Sequence, residues 1–343
     1  MHQRLLKLWY GESPGFPVLQ PLSWLYGAAV SARRKAYEWG WFSSQGVGTP
    51  VVVVGNLTVG GTGKTPLTIW LAKQLRQRGH AVGLVSRGYG REQGGLRAVT
   101  ADSSWQEVGD EPLMLHRRTG CPTAVASDRV AAARALIEQG ATIILADDGL
   151  QHLRLKRDCE IVVVDGARGL GNGRMLPAGP LRESVARARA ADALVVNGGV
   201  QGEPLRGVPP KLAAAGLRMR LVAAEARRIA DSGKAQPLEA FRGRPVHAVA
   251  GIGNPQRFFA DLRDRGLEII EHPFPDHHPL AAGDLDFGDG LAVLMTEKDA
   301  VKCGNVAGPA WYVPVEATFS DADSRRLLGL VTRAIDSFFS AGG

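Results

Sequence analysis

The stretch VVVVGNLTVGGTGKTP, residues 51–66, decides the fold. Its four valines predict a buried strand, and the glycines after them lead through Lys64 and Thr65 into a helical pattern. The phosphate-loop pattern GxxxxGK[ST] would have glycine at position 58, where this chain has Thr58. The rest of the pattern fits, because glycine-rich backbone and a helix N-terminus both attract phosphate oxygens. The sequence therefore predicts a nucleoside triphosphate site formed by Thr58, Val59, Gly60, Gly61, Thr62, Gly63, Lys64 and Thr65.

Two residues of this loop have expected roles in holding the nucleotide. Lys64 is expected to contact the β- and γ-phosphates, and the Thr65 hydroxyl to bind Mg²⁺. Such a site also needs a carboxylate at the end of a neighbouring strand, and the segment TIILADDG supplies Asp147 and Asp148 there. Either carboxylate could hold the metal, directly or through water.

Strand and helix patterns alternate along the first half of the chain. Strands are predicted at 51–56, 81–88, 141–149, 159–166 and 193–199, and helices at 65–78, 128–139 and 181–192. Apolar strands that alternate with amphipathic helices indicate an α/β fold, with a parallel sheet covered on both faces.

A Pro- and Gly-rich stretch at 198–211 is typical of a boundary, and a second α/β series follows it. Strands are predicted at 245–253, 267–274, 291–300 and 310–315, and helices at 255–265 and 320–339. We expect three parts: an N-terminal helical segment (1–44), a P-loop-type domain (45–205) and a smaller C-terminal α/β domain (206–343) that completes a cleft.

The N-terminal segment is rich in aromatic residues. Four of the seven tryptophans lie there, and a basic cluster, residues 33–35, falls within the helical pattern that begins near Pro21. Aromatic rings beside cations favour contact with an anionic membrane surface, although such a helix can also pack on the protein's own core. The sequence has no run of about 18 apolar residues, so we do not expect a membrane-spanning helix.

Composition limits the class of protein. The 343 residues are 45% hydrophobic and carry a net charge of +7, as expected of a folded protein with anionic partners. The three cysteines form no CxxC pair, which argues against a disulfide framework or a zinc site. Basic residues are dispersed and no reading helix is evident, so nucleic acid is not an expected partner.

Seven motifs occur in order: GNLTVGGTGKTP, SRGYG, GDEP, DDGLQH, PAGPLRE, FPDHH and TEKDAVK. Together they resemble the tetraacyldisaccharide 4′-kinase family of lipid A biosynthesis, over about residues 9–335. The resemblance implies transfer of the ATP γ-phosphate, with Mg²⁺, to the 4′-hydroxyl of a tetraacyl glucosamine disaccharide 1-phosphate. It further implies a peripheral enzyme, held by its N-terminal helix at the cytoplasmic face of the inner membrane of Gram-negative bacteria, with no obligate protein partner.

The resemblance also assigns residues to roles. Asp110 of GDEP resembles the catalytic base, and His277 of FPDHH resembles its partner in a dyad. Arg182 resembles the cation that offsets charge on the transferred phosphoryl group. The acidic shell around Mg²⁺ is expected to comprise Glu111, Asp147 or Asp148, and Glu183. Four more residues lie in family motifs near the site without an assigned role: Arg87, Tyr89, Gln151 and His152.

A different class of protein shares some of these features. A membrane-associated P-loop switch ATPase would also have a Gly-Lys-Thr loop and a membrane helix, but it would not need FPDHH in a second domain. The two classes differ in whether ATP turnover depends on a lipid acceptor.

Overall fold

The structure, a computed structural model, describes residues 8–11, 17–92, 94–199, 203–231, 233–276, 278–304, 306 and 308–341. The strands are β1 Val51–Gly55, β2 Val82–Ser86, β3 Arg97–Val99, β4 Thr123–Val125, β5 Ile143–Asp147, β6 Cys159–Asp165, β7 Ala193–Asn197, β8 Leu217–Ala223, β9 Ala226–Arg228, β10 Ala235–Gln236, β11 Val246–Ala250, β12 Ile269–Pro273, β13 Val293–Thr296, β14 Ala310–Val313 and β15 Val315–Phe319. The α-helices are α1 Gln20–Glu38, α2 Lys64–Gln77, α3 Trp105–Val108, α4 Asp110–Thr119, α5 Arg129–Glu138, α6 Val185–Ala190, α7 Pro210–Ala215, α8 Pro255–Asp264, α9 Glu297–Ala300 and α10 Asp321–Ala341. Short 3-10 helices are Pro17–Leu19, Leu238–Phe241 and Ala282–Leu285.

A nine-stranded sheet in the order β15-β8-β7-β6-β1-β5-β2-β4-β3 forms the larger layer. Its central strand β1 pairs in parallel with β5 on one side and β6 on the other, and Val54 lies opposite Asp147 in the register with β5. The antiparallel strands β3 and β15 lie at the two edges. Because β1 and β5 end side by side, the phosphate loop and Asp147 emerge at the same edge of the sheet, as ligand sites in open α/β sheets do.

The core of this sheet explains why its strands are so apolar. All five residues of β1 are buried, as are all seven of β6, because helices cover both faces. One core cluster joins α2 through Leu67, Leu71 and Leu75 to the C-terminal helix α10 through Val331 and Ile335. The final helix of the chain therefore packs on the sheet that carries the phosphate loop.

The second sheet has the order β10-β9-β14-β13-β11-β12, with β11 parallel to both β12 and β13. The two sheets do not divide the chain at the expected domain boundary, 205/206. Strands β8 and β15 follow that boundary in sequence, but both pair within the nine-stranded sheet. The chain leaves the first sheet after β8, builds the second and returns through β15. The division into domains stays a prediction, while the two α/β layers that it expected are present.

Two predicted elements have different bounds in the structure. The strand expected at 291–300 ends at Thr296, whose hydroxyl caps the short helix α9 by accepting from the Asp299 backbone at 3.2 Å. The helix expected from 181 begins only at Val185, because Leu181 bridges to Thr58 and the Arg182 N–H donates to the Leu57 carbonyl at 2.6 Å. The second difference places Arg182 beside the phosphate loop.

Helix α1 confirms the N-terminal helix and packs one face on the larger layer. The Ser23 hydroxyl donates to the Met175 carbonyl at 2.7 Å, and the Tyr26 hydroxyl donates to the Arg182 carbonyl at 3.1 Å. The opposite side is apolar yet exposed, with Trp24 at 67% and Leu25 at 68% relative exposure. Among the helices that the structure describes, none is both long enough and apolar enough to cross a membrane.

Candidate functional site

The loop between β1 and α2 has the backbone of a phosphate cradle. Gly60 and Gly63 have φ of 101° and 96°, in the left-handed region that favours glycine. The Asn56 side chain donates to the Gly60 carbonyl at 3.2 Å, and the Asn197 side chain at the end of β7 donates to the Thr62 carbonyl at 2.9 Å. The loop is thus held from both ends, and Lys64 opens α2 directly after it.

Lys64 and Arg182 converge on the same two side chains. Lys64 Nζ donates to Asn56 Oδ1 at 3.2 Å and lies 3.6 Å from Asp148 Oδ1. Arg182 also donates to Asn56, and its Nη2 lies 3.2 Å from Asp148 Oδ1. Two cations that meet beside a glycine-rich loop could bind a polyanion, and the expected roles of Lys64 and Arg182 stay predictions.

Asp148 has an unusual backbone that directs its carboxylate to those cations. Its φ of 48° is the one positive value recorded for a non-glycine residue in the described part of the chain. Such a conformation costs free energy and is found mostly at functional sites. Burial alone would raise the pKa of Asp148, but Lys64 and Arg182 outweigh it and lower the pKa to about 2.

Asp147 has the opposite environment. Its carboxylate is 1% exposed and accepts hydrogen bonds from the hydroxyls of Thr65 at 3.1 Å and Thr68 at 2.9 Å. Burial, with the nearby charge of Glu111, raises the pKa of Asp147 to about 6 although Lys64 opposes the shift. Because burial removes water from this carboxylate and disfavours its charged form, a cation bound beside it would stabilise that charged form.

The donor set at Asp147 fits Mg²⁺. A carboxylate and a threonine hydroxyl are hard oxygen ligands, and Mg²⁺ commonly binds one or two protein groups together with substrate phosphates. Within the residues that the structure describes, no group of three or more His, Cys, Asp or Glu side chains is gathered as a metal cage. Thr65 and Asp147 are therefore the pair best placed to hold the metal.

Asp110 is the first residue of α4 and lies beside Glu111. It is 3% exposed, its Oδ1 accepts from the Glu111 N–H at 2.8 Å, and Lys298 Nζ lies 3.8 Å from its Oδ2. Glu111, 3.3 Å from the same ammonium, is close enough to Asp147 to raise that pKa. The structure thus brings Asp110 and Glu111 together with the metal-site carboxylate.

The GDEP and SRGYG motifs lie against each other. A Cβ placed on Gly109 would lie 3.2 Å from Gly88 Cα and 3.1 Å from the Tyr89 carbonyl oxygen, so the contact needs glycine. His277, the predicted partner of Asp110, lies outside the described residues. Its neighbour His278 stacks on Phe274 at 4.8 Å between ring centroids.

Glu183 is separate from this carboxylate group. It is 6% exposed, and burial raises its pKa against the opposing effects of Arg187 and Arg34. Arg187 in turn pairs with buried Glu160. Because its charged neighbours are those of an internal ion-pair network, the structure does not place Glu183 with Asp147, and its role as a metal ligand stays a prediction.

The four motif residues without an assigned role lie in different surroundings. Arg87 is exposed, and Tyr89 is 66% exposed. Gln151 hydrogen-bonds the hydroxyl of Tyr26 in α1. His152 is partly buried, and its Nε2 has no hydrogen-bond partner in the described structure. Of the four, Gln151 links the DDGLQH motif to the N-terminal helix.

His152 predicts a pH dependence of folding stability. Burial, together with Arg129, lowers its pKa to about 4 from an ordinary 6.5, so the unfolded chain binds this proton more readily than the folded one. The free energy of unfolding should therefore fall as pH drops from 6.5 towards 4. We expect His152→Asn to reduce that loss in thermal melts at pH 4.5 and 7.5. An equal reduction in the control variant His80→Asn would refute a specific contribution of His152.

Sequence reasoning missed three residues of the site: Asn56, Thr68 and Asn197. Each is a small polar residue in an otherwise apolar strand end or helix face, and that contrast is a usable signal. Thr68, at 0% exposure on the buried face of α2, satisfies Asp147, while Asn56 and Asn197 hold the loop backbone. The arrangement could thus bind a polyanion, and it holds a buried carboxylate, Asp110, next to the group of Glu111 and Asp147.

Comparison with known proteins shows which family this chain is similar to. The family model described as "Tetraacyldisaccharide-1-P 4'-kinase" matches residues 16–332. A tetraacyldisaccharide 4'-kinase of Methylobacillus flagellatus is 46% identical over 335 residues, which cover 97% of each chain. One from Xanthomonas campestris pv. campestris is 51% identical over 317 residues, 90% of each chain. A crystal structure of LpxK from Aquifex aeolicus in complex with ATP has a TM-score of 0.75 at 28% identity, and covers 92% of this chain and 98% of that one.

Proposed function

Because this chain belongs to the tetraacyldisaccharide-1-P 4'-kinase family, we propose that it transfers the γ-phosphoryl group of ATP to the 4′-hydroxyl of a tetraacyl disaccharide 1-phosphate. One observation carries the proposal from this chain's own side: Asp110 is a buried carboxylate next to Glu111, whose charge acts on Asp147, the carboxylate that accepts from Thr65 at the end of the phosphate loop. A switch ATPase needs the loop, but it does not need a buried base for an acceptor hydroxyl.

Different residues have different proposed roles in an in-line transfer. Lys64 and Arg182 lie where the phosphate oxygens would be held, so they offset the charge of the transferring group. The acceptor oxygen attacks the γ-phosphorus, its proton passes to Asp110, and the bond to the β–γ bridging oxygen breaks to leave ADP. His277 is proposed as the partner that supports Asp110 in this step.

Mg²⁺ is proposed at Thr65 and Asp147, whose oxygens already face each other at 3.1 Å. When bound, the ion would neutralise charge on the β- and γ-phosphates. Asp148 is already paired with two cations, which favours a role in fixing Lys64 and Arg182 over a role as the first metal ligand. Glu111, near Asp147, would complete the acidic surroundings of the ion.

The exposed side of α1 is proposed to contact the membrane that contains the acceptor. An acceptor with four acyl chains leaves a bilayer at a cost of about 0.8 kcal/mol per CH₂, so the enzyme must come to the lipid. Val18, Leu22, Trp24 and Leu25 are each more than half exposed, and the basic residues 33–35 follow on the same helix. On the same helix, the Tyr26 hydroxyl donates to the carbonyl of Arg182. The proposed membrane-binding helix therefore contacts a residue of the proposed phosphate site directly. The expected location is the cytoplasmic face of the inner membrane, where ATP is present.

Replacing Trp24 and Leu25 with serine should weaken binding to anionic vesicles by roughly 100-fold or more, since burial of each such side chain contributes about 1.5–3 kcal/mol and about 1.4 kcal/mol is a factor of ten. Vesicle sedimentation measures the binding. Phosphorylation of acceptor presented in detergent micelles should change far less than phosphorylation of acceptor in vesicles. The serine variant of Val222, a 43%-exposed residue of β8, is the control and should bind vesicles like the wild type. Unchanged binding by the double variant would refute the membrane face.

The function itself is tested by the dependence of ATP turnover on the acceptor. We expect negligible release of ADP from the protein with Mg²⁺ and ATP alone, and sustained release once the tetraacyldisaccharide 1-phosphate is added. Equal turnover with and without the lipid would favour a membrane-associated switch ATPase instead.

A further inference from the structure

The TEKDAVK motif, residues 296–302, has no role in the transfer as described so far. In the structure it connects the end of β13 to α9, and its polar side chains are all engaged. Asp299, at 0% exposure, accepts from the Gly251 N–H at 2.9 Å and from the Thr296 hydroxyl at 2.6 Å. Lys302 Nζ lies 2.7 Å from Asp299 Oδ1. The start of α9 is therefore fixed firmly to the end of β11.

From this fixed base the motif reaches the first layer in two places. Glu297 accepts from Arg118 of α4 at 2.7 Å, and Lys298 approaches the two carboxylates at the start of the same helix. The two contacts lie at opposite ends of α4, whose first residue is Asp110. The short helix α9 is thus a direct connection between the second sheet and the helix that carries the proposed base.

Lys298 joins three carboxylates that come from two parts of the chain. Its Nζ lies 3.3 Å from Glu111, 3.5 Å from Asp276 and 3.8 Å from Asp110, and its side chain is 17% exposed. Asp276 follows β12 and belongs to FPDHH. Burial alone would lower the pKa of Lys298, but Glu111, Asp110 and Asp276 raise it well above its usual range. The ammonium is therefore charged at neutral pH.

Gly253 lies between Asp276 and the phosphate loop. A Cβ placed on Gly253 would lie 3.4 Å from Asp276 Oδ2 and 3.9 Å from the Gly61 nitrogen. Asp276, Gly253 and the loop therefore meet where the second sheet faces the first. Movement of Asp276 away from Asp110 would separate the two sheets here, where the acceptor and the phosphate are proposed to meet.

We propose that Lys298 is a positioning residue for the transfer, whose ammonium holds Asp276 against the Asp110–Glu111 end of α4. The proposal rests on the kinase function stated above. Without this ammonium, three carboxylates would repel one another in a partly buried space, where their repulsion is stronger than in water. The two sides of the cleft would then separate, and Asp110 would lose its fixed distance from the acceptor.

This role predicts which kinetic constant changes. Binding of ATP depends on the phosphate loop, which Lys298 does not contact in the described structure, so the affinity for ATP should remain within about threefold of wild type. Misplacement of a catalytic group by about 1 Å can cost roughly 100-fold in rate. We therefore expect Lys298→Met to lower kcat for the lipid acceptor by about 10- to 100-fold.

A conservative variant separates positioning from a general loss of structure. Lys298→Arg keeps the cation and should recover at least part of the lost kcat, whereas the neutral isostere Lys298→Met should not. Circular dichroism and thermal melts establish that both variants are folded. Lys234→Met is the matched control, because Lys234 also lies near a carboxylate, 3.9 Å from Asp231, but on an exposed part of the second layer, with its side chain 64% exposed. This control should transfer phosphate like the wild type.

A double-mutant cycle tests the proposed contact itself. If Lys298 acts by holding Asp276, then Asp276→Asn should cost much less kcat in the Lys298→Met background than in the wild type. Full additivity would overturn the proposal, and so would wild-type kcat in folded Lys298→Met. A fall in ATP affinity as large as the fall in kcat would assign Lys298 to nucleotide binding instead and would also overturn it. Inactivity of the wild type would count against the kinase function, independently of Lys298.

Discussion

Replacement of Lys64 with alanine is expected to lower kcat for phosphate transfer by roughly 1,000-fold or more. Lys64 Nζ lies at the meeting point of Asn56 and Asp148, directly after the loop that would cradle the phosphates. Removal of one preorganised group that stabilises transition-state charge commonly costs about 100- to 1,000-fold. Lys64 also positions the phosphates in the ground state, so the loss should extend to ATP affinity. Single-turnover transfer and calorimetric ATP binding measure the two effects separately.

Lys73→Ala is the control for this substitution. Lys73 lies on the same helix, α2, but its side chain is 42% exposed and pairs with Glu316. Its removal should leave both transfer and ATP affinity near wild type. If Lys64→Ala retained a tenth of wild-type kcat, the assignment of residues 58–65 as the nucleotide loop would be wrong.

Asp110→Asn is expected to lower kcat by about 100- to 10,000-fold, the range for loss of a general base. The amide preserves the shape of the buried side chain but cannot take the proton of the acceptor hydroxyl. Asp110 begins α4 and is not part of the phosphate loop, so ATP affinity should stay nearly unchanged. The signature is therefore a large fall in kcat at constant ATP dissociation constant, measured by transfer assay and calorimetry.

The exposed residue Asp102 offers a comparison for the same chemical change. Asp102→Asn should behave as wild type in both measurements. A sharp fall in ATP affinity in Asp110→Asn would show that this carboxylate supports nucleotide or metal binding. Near-normal kcat would show that the acceptor proton leaves by another route.

Local patterns predicted the parts of the fold that local chemistry controls. The helix expected at 65–78 is α2, Lys64–Gln77, because Gly63 can adopt the positive φ that precedes it. The helix expected at 128–139 begins at Arg129, with the Asp128 carboxylate accepting from the Val130 N–H as an N-cap. Asp147 was expected at the end of its strand and is the last residue of β5. Each of these signals lies within a few residues of the feature that it predicts.

Long-range pairing was outside the reach of those patterns. Strand β15 joins the larger sheet by pairing antiparallel with β8, about a hundred residues earlier, and no local signal encodes that return. Residues 297–300 continue an apolar strand in sequence but form α9, because Thr296 caps a helix there. The residues 181–184 resemble a helix but instead bridge to the phosphate loop.

In the candidate site, too, local motifs predicted some features, whereas others depend on backbone conformation or on long-range contacts. The phosphate-loop motif pointed to Lys64 and Thr65, and the end of an apolar strand pointed to Asp147 or Asp148 as their acidic partner. The separation of Asp147 from Asp148 could not be predicted, because it depends on the positive φ of Asp148, which turns one carboxylate to Lys64 and leaves the other with Thr65. Lys298 was visible only as part of a motif, since its three carboxylate neighbours are between 22 and 188 residues away in sequence.

The most direct test of the account is incubation of the purified protein with γ-labelled ATP, Mg²⁺ and the tetraacyldisaccharide 1-phosphate in detergent micelles. We expect the wild type to form a labelled bisphosphorylated lipid, and Asp110→Asn and His277→Ala to form none. Absence of labelled lipid, together with steady ATP turnover that does not depend on the acceptor, would contradict the account.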